Sequence, residues 1–266
     1  MFEYIRQPIK ISLDAIDPGE DVFVHHHLGL GDMIHCNGLV RWIASRIKVT
    51  SHVYLFCKQT LLEMTRWMYR DEPRIRLIGI DPRQKETPQV HAWLNCNGVK
   101  RYVSIGHKHL KLLETQHPEL FFDELFYMQA GIPYSVRYSH CFWQRDLVEE
   151  ERVFRKLAPG SDYVFVHDDP ARGFAIEFHK PGYVVRNDIS ESIFHLGLLL
   201  ERAREIHCME SSIRCMLESL DVAGVSLYYH NFRYPNRALG TATQLNWQII
   251  DYSDPQFDSG RGLMIA

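Results

Sequence analysis

The clearest pattern in the chain is the sequence VFVHHHLGLGDMI at residues 22–34. The apolar run that begins at Val22 and reaches His25 is typical of a buried strand. Gly29 and Gly31 allow a tight turn after it, and apolar residues then recur at helical spacing up to residue 47. The stretch therefore predicts a strand, a glycine-containing loop and a helix in succession.

The same alternation of strand and helix continues along the chain. It predicts further strands at residues 53–57, 75–80, 102–105, 163–167, 173–178, 183–186, 206–209 and 225–229. Residues 82–100 are expected to form a loop, and Asp188 with Glu191 is expected to cap a helix. The alternation favours parallel sheets, and it restarts at Pro159-Gly160-Ser161. We therefore predict two Rossmann-like α/β domains, residues 1–158 and 159–266, that face a cleft suited to a small molecule.

Composition excludes several classes of function. The 266 residues are 45% hydrophobic, and 30 basic residues nearly balance 33 acidic ones without a basic tail, which disfavours nucleic-acid binding. The six cysteines match no zinc signature and are expected to be reduced thiols. The opening residues lack the apolar core of a secretion signal, and no apolar run approaches the length of a transmembrane segment. These features predict a cytoplasmic protein.

The loop between the first predicted strand and helix is the first candidate site. Ile34 stands where the dinucleotide-binding G-x-G-x-x-G pattern needs its third glycine, and no P-loop lysine follows. A carboxylate at the start of a helix stays ionised and repels phosphate, so Asp32 suits a catalytic base better than a diphosphate cradle. His27, Gly29 and Gly31 are candidate loop or acceptor-side residues. Asp32 equally fits a simple helix N-cap.

The second half supplies candidates for holding an anion. Arg172 could bind phosphate with its planar guanidinium, and His167 stands at the end of the preceding strand. Ser211 and Ser212 precede a predicted helix, where hydroxyls and free backbone N–H groups favour an anion. A solvated loop pair and a plain serine cap are the simpler interpretations of these segments. The remaining candidates are Glu210 for sugar hydroxyls, and His230 and Arg233 as possible additions.

Three of these segments resemble a known family. Residues 26–34, HHLGLGDMI, resemble the first loop of GT-B glycosyltransferases, and look closest to the ADP-heptose heptosyltransferase-like group. In that group the aspartate of a Gly-Asp-hydrophobic step is the proposed catalytic base, and Asp32 matches it. Residues 206–213, IHCMESSI, are similar to the stretch under the nucleotide diphosphate, where Ser211 and Ser212 match small or hydroxyl residues. The segment from His167 to Arg172 is similar to the basic phosphate contact of the second domain.

The residues and the resemblance together predict a metal-independent, inverting glycosyltransferase. It would move a sugar from a nucleotide-diphosphate donor, held by the second domain, to a hydroxyl of a glycan or glycolipid acceptor, with no cofactor or metal ion. D-x-D, the pattern of metal-dependent sugar transfer, does not occur in the chain. Two alternatives stay open: a non-catalytic nucleotide- or sugar-binding protein of the same fold, and a nucleotide-sugar epimerase.

Overall fold

The chain forms two compact units, Met1–Gln144 and Arg145–Ala266. The computed structural model describes residues 8–107, 110–158, 160, 162–177, 182–232 and 239–252. Among these residues, no helix combines the length and the apolar character that crossing a membrane requires. Each unit is built on its own sheet, as the restart of the sequence pattern predicted.

The first unit alternates strands with helices. Its elements are β1 (Ile9–Lys10), β2 (Val22–His25), α1 (Leu30–His35), α2 (Asn37–Arg46), β3 (Val53–Lys58), α3 (Leu62–Tyr69), β4 (Ile75–Ile80), α4 (Glu86–Cys96), β5 (Arg101–Ser104), α5 (Leu110–Gln116), α6 (Phe122–Ala130) and α7 (Val136–Ser139). The strands form one sheet in the order β1-β5-β2-β3-β4, and every pair is parallel. The register pairs Val24 with Leu55 on one side of β2 and with Val103 on the other.

The second unit repeats this plan. Its elements are α8 (Leu147–Leu157), β6 (Tyr163–His167), β7 (Tyr183–Arg186), α9 (Gly197–Glu201), β8 (Glu205–Met209), α10 (Ser212–Leu217), β9 (Ser226–Asn231) and β10 (Trp247–Asp251). The strand order is β10-β9-β8-β6-β7, again with every pair parallel. Helix α8 packs on α9 within this unit, so the division precedes α8, whereas the sequence placed the boundary after it, between residues 158 and 159.

The central strands are buried on both faces, which explains why they read as continuous apolar runs. In β3, Val53, Leu55, Phe56 and Cys57 have no exposed surface, and in β6 the run from Tyr163 to Val166 has none either. Sheets covered by helices on both sides need such strands, because neither face meets water. The continuous runs in the sequence therefore predicted these strands correctly.

Each sheet reverses its strand order at one point. In the first unit the chain moves from β2 outward to β3 and β4, and then returns to place β5 on the other side of β2. In the second unit it moves from β6 to β7 and then places β8 on the other side of β6. Open parallel sheets bind ligands outside the carboxyl ends of the strands at such a reversal. The loops after β2 and β5, and those after β6 and β8, are therefore where ligands are expected.

Helix α4 corrects the prediction that residues 82–100 form a loop. Pro88 is the third residue of α4. Proline is tolerated there because the first N–H groups of a helix have no partner within the helix. Only Val90 and Leu94 of this helix are buried, so its sequence carries a short apolar signal. The helix brings Glu86 to its first position.

The helix expected behind Asp188 and Glu191 is also corrected. Asp188 accepts hydrogen bonds from the backbone and hydroxyl of Ser190 within a turn. The helical residues that follow are a 3₁₀ helix at Ile193–His195 and then α9. Glu191 instead forms ion pairs with Arg152 and Lys156 of α8. The two acidic residues that suggested a capping box instead connect the segment after β7 to α8 through ion pairs.

Candidate active site

Asp32 lies in the first turn of α1, beside the carboxyl end of β2. The helix begins at Leu30 with Gly29 as its N-cap, so Asp32 is its third residue, and the interpretation of Asp32 as the N-cap is wrong. The Asp32 carboxylate reaches back to accept a hydrogen bond from the Gly29 backbone N–H. Gly31, which lies between Gly29 and Asp32 in the chain, is half-buried. The hydrogen bond from the Gly29 backbone N–H thus holds the Asp32 carboxylate in place at the start of α1.

The Asp32 carboxyl is partly withdrawn from water. Its side chain is 23% exposed, and its Oδ2 lies 3.9 Å from Nδ1 of the half-exposed His27. Burial raises the pKa of Asp32, and the neighbouring His27, the Gly29 N–H and Lys58 oppose this rise. A carboxylate with a raised pKa is a stronger base than one in water, while the remaining exposure leaves it reachable. These are the properties that a general base needs.

Four histidines lie close to one another, and one of them, His27, is next to Asp32. We call His25, His26, His27 and His107 the histidine cluster. The rings of His25 and His107 stack with centroids 3.9 Å apart, and the rings of His27 and His107 are 5.0 Å apart. Burial lowers the pKa of His25 to about 2, and those of His26 and His107 to about 4. These three rings are therefore neutral at pH 7 and add no positive charge beside Asp32.

Gly106 makes this close arrangement possible. It precedes His107, has a φ of 76°, and a Cβ there would lie 2.9 Å from Cδ2 of His27 and 2.7 Å from Cε1 of Phe126. Only glycine adopts this backbone conformation without strain and also leaves this space. The loop after β5 can therefore approach the loop after β2 across the point where the strand order reverses.

Lys58 and Glu86 complete the first unit's site, and sequence reasoning missed both. Lys58 ends β3 and Glu86 begins α4, and their charged groups lie 3.3 Å apart. Both influence the Asp32 carboxyl electrostatically. The end of a predicted strand was a usable signal for Lys58. Glu86 gave none, because its segment was interpreted as a loop.

One group in the first unit could hold a metal ion. Among the described residues, His25, Glu86 and His107 each offer a ligand atom, and these atoms lie within 4.8 Å of one another. His25 comes from β2, Glu86 from α4, and His107 from the loop after β5. The sequence contained no spacing that would indicate this group, since the three residues lie far apart along the chain.

In the second unit, His167 and Arg172 lie at and just beyond the carboxyl end of β6. His167 Nδ1 is 2.8 Å from Oδ1 of Asn187, and burial lowers the pKa of the ring. The Arg172 side chain is 62% exposed and forms an ion pair with Asp169. Arg172 is thus accessible to a ligand, but a phosphate there would compete with Asp169. The ion pair of Arg172 with Asp169 in an exposed loop matches the simpler interpretation of this segment, a solvated loop with a pair of opposite charges.

Arg186 is a further cation at this edge that sequence reasoning did not single out. It ends β7, and its Nη1 lies 2.6 Å from Oδ2 of Asp168. The same Asp168 oxygen accepts a hydrogen bond from the Ile176 backbone N–H. Asp168 therefore organises the loop after β6, and the side chain of Arg186 is 45% exposed.

Glu210, Ser211 and Ser212 connect β8 to α10. Ser211 is the N-cap, and its hydroxyl accepts a hydrogen bond from the Arg214 backbone N–H, as a plain serine cap does. Ser211 and Ser212 are both half-buried. Glu210 is buried, and its carboxylate lies 3.2 Å from the Tyr229 hydroxyl and 3.5 Å from the Thr241 hydroxyl. Both serines are partly accessible, although the Ser211 hydroxyl is engaged as the cap, and Glu210 is held by protein hydroxyls.

His230 is part of a buried chain of polar groups. Its Nε2 lies 2.9 Å from Nδ1 of His207, and its Nδ1 lies 2.7 Å from the Tyr252 hydroxyl. Both ring nitrogens of His230 therefore have partners within the second unit. Arg233, the other possible site residue, lies outside the described residues.

The sheet of the second unit brings two of the predicted segments together. The register pairs His167 with Cys208 across β6 and β8, two residues before Glu210. The loop that carries Arg172 and the turn that carries Ser211 therefore leave neighbouring strand ends at the reversal of strand order. This is the position at which an open parallel sheet binds ligands.

Comparisons with known proteins agree with this architecture. No protein-family model matches the chain, and no curated protein matches it either. A solved glycosyl transferase family 9 structure from Veillonella parvula DSM 2008 aligns over 91% of this chain and 88% of its own, with a TM-score of 0.54 and 11% identity. The chain therefore has the fold of a family 9 glycosyltransferase, and the predicted resemblance is confirmed at the level of the fold.

Two E. coli structures align less closely. ADP-heptose LPS heptosyltransferase II aligns over 86% of this chain and 90% of its own, with a TM-score of 0.41 and 9% identity. Heptosyltransferase WaaC with ADP-2-deoxy-2-fluoro heptose aligns over 87% of this chain and 92% of its own, with a TM-score of 0.40 and 11% identity. The conclusion about the fold rests on the Veillonella structure.

Proposed function

We propose that this protein is an inverting GT-B glycosyltransferase. It moves a sugar from a nucleotide-diphosphate donor to a hydroxyl of a glycan or glycolipid acceptor. The fold shared with a family 9 glycosyltransferase supports the class. The observation that carries the proposal is Asp32, a partly buried carboxyl with a raised pKa at the start of α1, beside the strand reversal of the first unit.

In the proposed reaction Asp32 acts as the general base. Its carboxylate takes the proton of the acceptor hydroxyl as that oxygen attacks the anomeric carbon of the donor. The bond between the anomeric carbon and the diphosphate oxygen breaks, and its electron pair leaves with the diphosphate. Direct displacement inverts the anomeric centre. Gly29 contributes by holding the Asp32 carboxylate through its backbone N–H.

The second unit is proposed to hold the donor. Arg172 and the hydroxyls of Ser211 and Ser212 stabilise the departing diphosphate, so that this step needs no metal ion. His167 supports the loop that carries Arg172 through its contact with Asn187. Glu210 is proposed to orient donor hydroxyls, and in doing so it exchanges a contact with Tyr229 or Thr241.

A non-catalytic nucleotide-binding protein of the same fold is the second candidate. The pairing of Arg172 with Asp169 and the capping contact of Ser211 favour it, because both groups already have protein partners. Such a protein would bind nucleoside diphosphates without transferring or hydrolysing their sugars. For either candidate we propose a cytoplasmic location, in which the six cysteine thiols stay reduced.

The test combines donor binding with turnover in one set of variants. A thermal-shift screen against nucleoside diphosphates and their sugars, with and without chelator, identifies the donor. Asp32→Asn should then retain nucleotide binding while transfer falls by about 100-fold or more. Asp14→Asn, an exposed carboxylate elsewhere in the first unit, is the matched control. Turnover of Asp32→Asn at the wild-type rate would remove Asp32 from the mechanism, and donor binding that requires a divalent ion would contradict the metal-free step.

A further inference from the structure

His25 is a buried side chain, with only 1% of the residue exposed. Within the part of the chain that the structure describes, neither of its ring nitrogens has a hydrogen-bond partner. A buried nitrogen without a partner is costly, because it has lost the hydrogen bond that water supplied. Such a group points to a ligand that satisfies it.

Two further side chains lie beside His25. His107 stacks against it, and among the described residues its buried Nε2 has no hydrogen-bond partner. Glu86 brings a carboxylate to the same point, and the ligand atoms of the three side chains lie within 4.8 Å of one another. The Glu86 oxygen Oε1 lies 3.3 Å from Lys58, which leaves its second oxygen for another partner.

We propose that His25, His107 and Glu86 form a binding site for one transition-metal ion, with Zn²⁺ as the ion that suits the donor set. Two imidazoles and one carboxylate are the ligands of a common class of catalytic zinc site. Imidazole ligands favour zinc, copper, iron or nickel over magnesium and calcium, which prefer oxygen.

Coordination requires one movement. The His25 and His107 rings are stacked with an interplanar angle of 28°, so their in-plane lone pairs cannot meet at one point. One ring must turn, and the proposal requires that this is His107, which lies in a loop. Turning it means giving up its present contact with the His26 backbone. His25 is fixed by β2, and Glu86 by the first turn of α4.

The position of the site suggests more than a structural role. Three protein ligands leave a coordination position of a tetrahedral ion open for water or a substrate oxygen. The site lies at the strand reversal of the first unit, and His27 connects it to Asp32 through contacts with His107 and with the Asp32 carboxylate. The inference concerns the first unit alone, and it does not depend on sugar transfer or on how the second unit holds a diphosphate.

Calorimetric titration of the untagged full chain with Zn²⁺ tests the proposal. The wild-type protein should bind one equivalent, and His107→Asn and Glu86→Gln should each weaken binding by about tenfold or more. His52→Gln is the matched control, because His52 lies before β3, at the opposite end of the strands, beside Asp21. Its affinity for Zn²⁺ should equal that of the wild type. Thermal melts of all four proteins show whether each variant is folded.

Visible spectroscopy with Co²⁺ provides a test that needs no variant. A site with two imidazoles and one carboxylate should give the strong absorption of four- or five-coordinate Co²⁺, and added Zn²⁺ should remove it. Absence of Zn²⁺ binding by the wild type would overturn the proposal. So would variants that bind as tightly as the wild type, which would mean adventitious binding at surface histidines, or a Co²⁺ spectrum as weak as that of the hydrated ion.

Discussion

The carboxylate of Asp32 occupies the space that a side chain at Gly29 would need. A Cβ built on Gly29 lies 2.7 Å from Oδ2 of Asp32, which is closer than real Cβ atoms approach other atoms. Gly29 has a φ of −70°, so its backbone conformation does not require glycine. The requirement for glycine at this N-cap therefore comes from the neighbouring carboxylate.

Gly29→Ala should displace the Asp32 carboxylate and leave the fold intact. We expect kcat/KM for sugar transfer to fall by about 10- to 100-fold, as for a misplaced catalytic group. The melting temperature should change little, because alanine tolerates this backbone. Gly224→Ala is the control, since nothing lies within 4 Å of a Cβ there. Equal transfer rates in the two variants would contradict a precisely held base.

Gly106→Ala should destabilise the first unit through strain and overpacking together. Its φ of 76° is unfavourable for alanine, and the Cβ would meet Phe126 and His27. Gly131→Ala separates the two effects, because Gly131 has a φ of 75° but nothing within 4 Å. We expect Gly131→Ala to cost about 1 kcal/mol and Gly106→Ala about 2 to 4 kcal/mol in the free energy of unfolding. Urea unfolding of both variants measures the difference, and equal losses would show that the clash is relieved by movement of Phe126.

Glu150→Gln should destabilise the second unit much more than Glu151→Gln. The Glu150 carboxylate is fully buried, pairs with Arg145 at two atoms, and accepts a hydrogen bond from the Leu198 backbone N–H. Glu151 forms a surface pair with Arg155, whose side chain is 77% exposed. We expect the free energy of unfolding to fall by about 3 kcal/mol in Glu150→Gln and by less than about 0.5 kcal/mol in Glu151→Gln. Chemical denaturation of the adjacent variants tests this, and similar losses would contradict the assigned burial.

The contact of Glu191 with α8 should make stability depend on pH in acid. Hydrogen bonds from Arg152 and Lys156 lower the pKa of Glu191 to about 2, from an ordinary value of 4.5. A carboxylate with a lowered pKa stabilises the folded state fully above its unfolded pKa, and this contribution is lost as the pH falls through the folded value. The stability difference between wild type and Glu191→Gln should therefore be constant above about pH 5 and shrink between pH 4.5 and 2. Urea unfolding at several pH values measures it, and a difference unchanged at pH 3 would show that the ion pairs contribute nothing.

Much of the fold could be predicted from local patterns. The strands from Val53 and Tyr163 are nearly continuous apolar runs, because both faces of a central strand in a parallel sheet are covered. Helix α4 and strand β10 could not be predicted in this way. Pro88 obscured the start of α4, and β10 is an edge strand with exposed residues that leave little apolar signal.

Only part of the candidate site could be predicted. The sequence indicated Asp32 through the glycines before it and the helix after it, and it indicated Arg172 and Ser211 because they follow predicted strands. It did not indicate Lys58, Glu86 or His107, which come from three other segments of the first unit. Their proximity to the loop after β2 depends on strand order and on the backbone of Gly106.

Local sequence thus established the alternation of strand and helix, the restart in the second half and a carboxylate at the head of the first helix. These features depend on interactions between residues that are near in the chain, such as periodic apolar burial and turn formation. The fold alone placed His25, His107 and Glu86 within reach of one another and engaged both ring nitrogens of His230. Those outcomes depend on which strands become neighbours, and that is set by the packing of the whole sheet rather than by any short stretch.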